Sequence, residues 1–325
     1  MKNKISFVWD WDDYTPQTIT WKDGLARAIQ ILSQKYEVQF LTCGKRNYIV
    51  PHEYFDINVS TNIKADVASF NPDVILMWGD ATRPNAEPLS DLGIPMALCF
   101  AGGQPDGPTM KYFDHFFVES EAYKQRFDLM GKSCSIAFGT NTELFKTEGK
   151  QQKVFDVCFP ATYAAWKRHH IFAKATAGLK VITCGYVIPA EKSCMEYVQA
   201  SGGFCLPHVS PEALKAVYEA SKCCFISSHW SGGSQRTALE AMAMDVPLVV
   251  MPDSDKCMEF VQKSGEGFIS PMYEEKFGVG LDCSKITETI KKAMDSKVNT
   301  RDWVLNNYSE YIYADNLEKG LLCLI

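Results

Sequence analysis

Residues 227–243 of the chain read SSHWSGGSQRTALEAMA and contain the clearest indication of its fold class. The apolar run 223–227 predicts a strand, the pair Gly232 and Gly233 a tight loop, and residues 234–244 a helix. A strand that passes through a glycine loop into a helix is typical of open parallel sheets. Such sheets bind ligands at the carboxyl ends of their strands, where helix N–H groups favour a phosphate or a sugar hydroxyl.

The helix predicted over residues 234–244 is apolar nearly all round and carries one carboxylate, Glu240. Burying a carboxylate costs free energy unless a partner compensates its charge. Two interpretations of Glu240 stay open. It could form an i,i+4 ion pair with Arg236, worth a few tenths of a kcal/mol at a surface, or it could accept hydrogen bonds from the ribose hydroxyls of a nucleotide.

Strand-like apolar runs alternate with helical patterns along the chain, and the alternation starts again in the second half. Predicted strands cover residues 5–9, 38–42, 74–78, 96–100, 115–118 and 134–137, then 154–159, 179–184, 204–206, 223–227, 247–251 and 267–269. Predicted helices cover 21–35, 164–177, 211–220, 234–244 and 301–325. The polar segment 146–153 is interpreted as a linker.

These patterns predict an α/β fold of two Rossmann-like domains that face each other across a cleft. The first domain would cover residues 1–145 and the second residues 146–305. We expect residues 306–325 to form a C-terminal helix that packs back on the first domain.

Composition narrows the function. Hydrophobic residues make up 46% of the chain and charged residues 22%, which excludes disordered and fibrous classes. The net charge of −6 argues against a nucleic-acid partner, which needs a basic face. No apolar run approaches the roughly 20 residues of a membrane span. The 12 cysteines show no Cys-x-x-Cys spacing, so we expect reduced, buried thiols in a cytoplasmic protein.

Three segments carry a family resemblance. Residues 232–243, followed by the strand-like 246–250, Glu259 and residues 265–271, resemble the group 1, family-4-like glycosyltransferases of the GT-B fold. The turn GTNTELF at 139–145 is similar to that family's domain junction, and HVSPEAL at 208–214 to a further motif. Residues 156–159 with Arg168, and the Arg236-x-x-Leu-Glu240 pattern, are also similar to spore-maturation-protein-like glycosyltransferases.

The resemblance implies a hexosyltransferase-type enzyme (EC 2.4) whose co-substrate is a UDP-sugar or GDP-sugar. It implies retention of configuration and no need for a metal or another cofactor. Glu240 would hold the donor ribose. The resemblance assigns the diphosphate to three basic residues and the glycine loop, namely Lys167, Arg168, Arg236, Gly232, Gly233, Ser234, Gln235 and Thr237.

Two positions depart from the family's pattern. Gly232 stands where the family has the first of two glutamates, which contacts the donor sugar, and Thr162 stands where it has an arginine. The identity of the sugar therefore stays open. A non-catalytic nucleotide-sugar-binding protein of the same fold is the alternative.

The loop after the first predicted strand reads WDWDDYT at residues 9–15. Aromatic rings stack on sugar faces and carboxylates accept hydroxyl hydrogens, so this loop suits a carbohydrate or another small-molecule acceptor. The predicted acceptor-side residues are Trp9, Asp10, Asp12, Asp13 and, after the strand at 96–100, Gly102 and Gly103. The structural alternative is a packed strand end followed by a solvated acidic turn.

The same loop is similar to the first motif of haloacid-dehalogenase-type phosphatases. Asp10 would then be a nucleophile and Asp12 a general acid, with magnesium as the metal. Tyr14 occupies the threonine position of that motif. This less favoured interpretation predicts a magnesium-dependent phosphatase.

Overall fold

The computed structural model describes residues 3–10, 21–103, 105–149, 152–229, 233, 235–276 and 280–325. The chain divides into two compact units. The first unit comprises residues 1–141 and 308–325, and the second comprises residues 142–307. The C-terminal segment therefore belongs to the first unit.

An eight-stranded sheet with the order β3-β4-β2-β1-β5-β6-β7-β8 forms the centre of the first unit. Its strands are β1 Lys4–Trp9, β2 Glu37–Cys43, β3 Tyr48–Pro51, β4 Asp56–Ser60, β5 Val74–Gly79, β6 Met96–Phe100, β7 His115–Val118 and β8 Cys134–Ile136. All neighbouring strands are parallel except β3, which pairs antiparallel with β4 at the edge.

Helices cover both faces of this sheet, which is why its central strands are apolar along their length. The helices are α1 Gly24–Lys35, α2 Ile63–Phe70, α3 Ala86–Ser90, α4 Glu121–Leu129 and, at the chain end, α12 Glu310–Leu322. One face packs against α1 and α12, through residues such as Ile29 and Leu317. The opposite face packs against α2, α3 and α4, through residues such as Val67 and Phe127.

The first residue of helix α1, Gly24, packs directly against the backbone of Gly139. A Cβ atom on Gly24 would lie 2.1 Å from the carbonyl oxygen of Gly139. Asp23 caps the helix by accepting from the Ala26 amide at 3.0 Å. The absence of a side chain at Gly24 thus lets the first turn of α1 approach the segment that follows β8.

The second unit has a six-stranded sheet, in which every paired neighbour is parallel, with the order β11-β10-β9-β12-β13-β14. These strands are β9 Phe155–Pro160, β10 Val181–Cys184, β11 Phe204–Leu206, β12 Ser221–Ile226, β13 Leu248–Val250 and β14 Phe268–Ile269. A separate hairpin joins β15 Glu274–Lys276 and β16 Gly280–Asp282.

Helices alternate with these strands, as in a Rossmann-like fold. They are α5 His169–Ala175, α6 Ser193–Ala200, α7 Pro211–Glu219, α8 Gln235–Ala243, α9 Asp255–Ser264, α10 Ser284–Met294 and α11 Arg301–Tyr308. The prediction of an α/β fold with two Rossmann-like units is confirmed.

Each of the 12 strands expected from the sequence is present, with ends shifted by at most a few residues. The β3–β4 hairpin was not predicted, because β3 has only four residues and ends in Pro51, and β4 has only two apolar residues in five. The helix expected over 301–325 is two helices, since Ser309 is extended and caps α12 through the Ile312 amide. Those differences leave the predicted architecture unchanged.

Two further expectations concern disulfide bonds and membrane-spanning helices. The structure pairs none of the 12 cysteines in a disulfide, and most are buried. Within the described ranges, no helix is long and apolar enough to cross a membrane.

Candidate functional site

The strand order of the second unit marks one point where a ligand crevice is expected. From β9 the chain continues to β10 on one side, whereas from β12 it continues to β13 on the other side. A place where the strand order reverses in this way is a topological switch point, and the segments that leave the carboxyl ends of the two adjacent strands diverge there. The segments are residues 161–168, between β9 and α5, and the glycine loop before α8.

Hydrogen bonds tie these two segments together. The Ser227 hydroxyl donates to the Lys167 carbonyl oxygen at 2.8 Å, and the His229 amide donates to the Trp166 carbonyl oxygen at 2.9 Å. In the first turn of α8, the Thr237 hydroxyl donates to the Pro160 carbonyl oxygen at 2.8 Å. The end of β9, the loop after β12 and the start of α8 therefore form one connected structure.

A lysine and a glycine meet at this point. Gly233 has a φ of +65°, which favours glycine, and a Cβ atom there would lie 3.8 Å from the Lys167 Nζ atom. The Lys167 side chain is largely buried, since the residue is 9% exposed. The sequence-predicted pair Lys167 and Gly233 is thus brought together, with the ammonium group next to the start of α8.

Gln235 begins α8 beside the same glycine. It is 1% exposed, and its Oε1 atom would lie 3.1 Å from a Cβ atom on Gly233. Its Nε2 group has no hydrogen-bond partner in the described part of the chain. A buried amide donor without a partner is costly, so this group fits a ligand that supplies an acceptor.

Arg168 has a different environment from its neighbour Lys167. Its backbone is left-handed, with a φ of 53°. Its guanidinium donates to both carboxylate oxygens of Asp253, at 3.0 and 2.7 Å. Such a bidentate pair already balances the positive charge of Arg168. The prediction that Arg168 contacts a phosphate stays untested.

Glu240 is buried in α8, with 3% of the residue exposed. The Tyr218 hydroxyl, on α7, donates to Glu240 Oε2 at 2.8 Å. Burial and the negative charge of Glu240 raise the pKa of Tyr218 well above its usual value, so the hydroxyl keeps its proton. The structure therefore holds this carboxylate inside the unit by a hydrogen bond from another helix.

Helix α8 is also anchored at its carboxyl end. The Arg301 guanidinium donates to the carbonyl oxygens of Ala243, Phe145 and Thr142, at 2.7 to 2.9 Å. The Thr300 hydroxyl donates to the Met242 carbonyl oxygen at 2.6 Å. A cation at a helix C-terminus is favourable because the last carbonyl groups carry partial negative charge. Both ends of α8 are thereby fixed, and Glu240 lies between them.

An aromatic pair lies at the carboxyl ends of β10 and β11. The rings of Tyr186 and His208 stack with centroids 5.0 Å apart, and Tyr186 is 40% exposed. Burial, followed by the nearby charge of Arg236, lowers the pKa of His208. Arg236 in the first turn of α8 is therefore close to this stack, which offers a flat partly exposed ring to a ligand.

His169, next to His170 at the start of α5, is surrounded by aromatic residues. The buried His169 ring packs on Tyr163 and Phe159, with centroid distances of 5.0 and 5.4 Å. Burial and then the Lys167 charge lower the pKa of His169 to about 4. No group of three or more histidine, cysteine or acidic residues in the described ranges could hold a metal ion.

In the first unit, Trp9 is part of the core. Its ring stacks on Trp78 at 4.4 Å and meets Trp21 edge-on at 4.2 Å, and the residue is 9% exposed. A ring enclosed in this way has little face left for a sugar. This packing favours the structural alternative for Trp9.

Asp10 is fully buried at the end of β1 and has protein partners on both carboxylate oxygens. It accepts from the Asn85 amide at 2.9 Å and from the Asn85 Nδ2 group at 2.6 Å. The Arg83 guanidinium donates to its backbone carbonyl oxygen at 2.6 Å. Asp10 thus holds the segment between β5 and α3 in place, which again favours the structural alternative.

Gly102 and Gly103 follow β6 with positive φ angles of 101° and 92°. The Tyr123 hydroxyl donates to the Gly103 carbonyl oxygen at 3.0 Å. These glycines lie at the carboxyl end of the first sheet, as predicted from the sequence. Four predicted site residues lie outside the described residues: Asp12, Asp13, Gly232 and Ser234.

Tyr218, Asp253 and the Tyr186–His208 stack were not predicted from the sequence as members of this region. Tyr218 lies within the helix predicted over residues 211–220, and that prediction gave it no functional role. A tyrosine on the apolar face of a helix needs a buried hydrogen-bond partner for its hydroxyl. Glu240, an acidic residue in an apolar helix, was a candidate for this partner. Nothing in the sequence pairs Arg168 with Asp253, 85 positions away.

Comparison with known proteins places this geometry in context. Residues 140–282 match the family model described as glycosyl transferases group 1. Sucrose-phosphate synthase from Thermosynechococcus elongatus has a similar structure, with a TM-score of 0.74 at 15% identity, over 99% of this chain and 98% of that chain. Comparison with curated protein sequences gives no match.

Two further solved structures share the fold. HepE from Anabaena, solved in complex with UDP, has a TM-score of 0.69 at 14% identity, over 98% of this chain and 100% of that chain. A glycosyltransferase from Rickettsia africae has a TM-score of 0.69 at 14% identity, over 99% of each chain.

Proposed function

We propose that this chain, which has the GT-B fold and carries a group 1 glycosyltransferase domain at residues 140–282, transfers a sugar from a nucleoside-diphosphate donor to an acceptor. The observations that support the proposal are the burial of Lys167 beside Gly233, at the switch point of the second sheet, and the burial of Glu240 in α8, the helix that follows this loop. The donor is a UDP-sugar or a GDP-sugar. HepE, a protein of the same fold, was solved with UDP-glucose.

The second unit binds the donor in this proposal. Glu240 accepts hydrogen bonds from the ribose hydroxyls. Lys167, Arg236 and the amide groups at the start of α8 hold the diphosphate, because cations and helix N–H groups stabilise phosphate charge. Gln235, whose Nε2 group has no partner among the described residues, supplies an additional donor. The exposed ring of the Tyr186–His208 stack supports the base.

Cleavage of the donor puts negative charge on a phosphate oxygen. A fixed cation placed where this charge develops lowers the activation barrier. In oxyanion holes, which stabilise developing negative charge in the same way, removal of one hydrogen-bond donor raises the barrier by roughly 3–4 kcal/mol. Lys167 fits this role because its burial keeps water from competing for the ammonium group. Arg168 contributes only if the phosphate displaces Asp253 from its guanidinium.

We propose that the reaction retains configuration and needs neither metal nor another cofactor. The acceptor hydroxyl attacks the sugar carbon as the carbon–phosphate-oxygen bond breaks, and the hydroxyl proton passes to the leaving phosphate oxygen. No protein base is then required. The first unit binds the acceptor, a carbohydrate or another small molecule, near Gly102 and Gly103 and the segment that follows Asp10.

A thermal-shift screen with UDP-glucose, UDP-N-acetylglucosamine and GDP-mannose tests donor binding. A donor present at a hundredfold its dissociation constant stabilises a protein by roughly 2.7 kcal/mol. The donor that binds is then assayed for release of its nucleoside diphosphate. A protein that binds no nucleoside-diphosphate sugar would contradict the proposal.

Two other functions are separated by the same assays. Gly232 and Thr162, together with the pairing of Arg168 by Asp253, favour a non-catalytic nucleotide-sugar-binding protein as the second candidate. That candidate predicts binding without turnover over a broad acceptor panel. The phosphatase interpretation predicts magnesium-dependent phosphate release that Asp10→Asn abolishes, and the bonding of Asp10 by Asn85 argues against it.

A further inference from the structure

The hydrogen bond between Tyr218 and Glu240 is built from two separate helices. The donor and acceptor atoms are 2.8 Å apart, and both side chains are buried. The same hydroxyl lies 3.4 Å from the Thr237 carbonyl oxygen, one turn earlier in α8. The hydroxyl therefore touches α8 at the acidic side chain and at its backbone.

Helix α7 holds this hydroxyl independently of α8. Ser210 caps α7 by accepting from the Ala213 amide at 3.2 Å, and Pro211 begins its first turn. The Tyr218 ring packs edge-on against Phe145, with centroids 6.0 Å apart. The ring is thus fixed by its own helix and by a neighbouring aromatic residue.

A glutamate side chain has three rotatable bonds, and the last one turns with little resistance. A hydrogen bond from a fixed hydroxyl removes this freedom, which lowers the entropic cost of accepting bonds from a ligand. The hydroxyl of Tyr218 can therefore set the plane of the Glu240 carboxylate before any nucleotide binds.

We propose that Tyr218 is a positioning residue, which orients the Glu240 carboxylate toward the ribose hydroxyls of the donor nucleotide. This inference rests on the proposed function, in which Glu240 binds ribose. Tyr218 itself need not touch the ligand. Its effect is confined to the part of the affinity that depends on the ribose hydroxyls.

The test compares two ligands on each variant. The probes are UDP and 2′,3′-dideoxy-UDP, or GDP and its dideoxy form if only GDP binds, and the readout is the ratio of their dissociation constants. For the wild-type protein we expect a ratio of at least about tenfold, which corresponds to about 1.4 kcal/mol. Tyr218→Phe, which removes only the hydroxyl, is expected to bring the ratio to about two.

Tyr36→Phe is the matched control. The Tyr36 hydroxyl also donates to a glutamate, Glu318 at 2.9 Å, but this pair belongs to the first unit and not to the proposed donor site. It should lower the melting temperature but keep the wild-type ratio. Because both ligands are measured on the same sample, a partial loss of folded protein cancels from the ratio.

A double variant completes the design. In Glu240→Gln the ratio should already be low, and adding Tyr218→Phe should change it no further, since Tyr218 acts through Glu240. If Glu240→Gln loses discrimination while Tyr218→Phe keeps it, or if Tyr36→Phe loses it equally, the positioning role is overturned. If neither nucleotide binds, or the wild-type protein does not discriminate, the proposed function of Glu240 itself fails.

Discussion

Replacement of Lys167 by methionine removes the ammonium charge while keeping a side chain of similar length. The Lys167 Nζ atom would lie 3.8 Å from a Cβ atom on Gly233, which precedes α8, and Lys167 is 9% exposed. A unit charge about 4 Å from a phosphate is worth about 1 kcal/mol in bulk water and about 4 kcal/mol in a partly buried site. The burial of Lys167 favours the upper part of that range.

A loss of about 3 kcal/mol corresponds to a dissociation constant for UDP, or for GDP if it is the ligand, that is more than 100-fold weaker. Isothermal titration at moderate salt measures this change. Lys222→Met is the matched control, because Lys222 pairs with Asp156 near the opposite, amino-terminal end of the strands. A Lys167→Met protein that binds within threefold of the wild type would refute the placement of the diphosphate at this lysine.

Three other predictions concern stability. The pKa of His169 is lowered to about 4 in the folded protein, against 6.5 in the unfolded chain, so the unfolded chain binds more protons between those pH values. The free energy of unfolding should therefore fall on the order of 3 kcal/mol as the pH drops through that window. Urea unfolding across pH should show a flatter profile for His169→Phe than for the wild type, and parallel profiles would contradict the assignment of this pH dependence to His169. Arg301→Ala should lower the free energy of unfolding by about 3 kcal/mol, since it strips donors from partly buried carbonyl groups; a loss below 0.5 kcal/mol would count against this anchor. Gly24→Ala should lower the free energy of unfolding by roughly 2 kcal/mol or more, because the alanine Cβ atom would collide with the Gly139 carbonyl group. Alanine has the higher helix propensity, so without this contact the variant would have the higher melting temperature.

The parallel strands could be predicted because burial on both faces makes them apolar over their whole length. Residues 96–100 and 115–118 were placed to the residue for this reason. The β3–β4 hairpin escaped prediction because both strands are short: β3 ends in Pro51 after four residues, and β4 has only two apolar residues, Ile57 and Val59. Of the two, β3 is the edge strand, with Ile49 62% exposed. Edge strands are stabilised by pairing with their neighbour, which the local sequence does not encode.

The site divides in a similar way. The apolar residues around Glu240 indicated that its carboxylate needs a compensating partner, and the structure shows that the residue is buried. The partners of Glu240 and Arg168 come from other elements, 22 and 85 positions away, and no local pattern specifies such pairs. Only the folded chain shows which charges are already satisfied.

Trp9 illustrates the opposite case. Its position two residues after Phe7 on β1 places both side chains on one face of the sheet, and Phe7 packs in the core. This alternation was available in the sequence and favours burial of Trp9. An aromatic residue at a strand end is therefore weak evidence for a sugar platform until the face it occupies is known.

Amide hydrogen exchange with and without the donor identified by thermal shift locates the donor site in the chain. We expect slower exchange with the donor at residues 161–168 and 227–243, which carry the two segments at the switch point of the second sheet. Glu240→Gln should weaken this protection at a fixed donor concentration. Protection confined to the first unit, with those two segments unchanged, would contradict a donor site in the second unit.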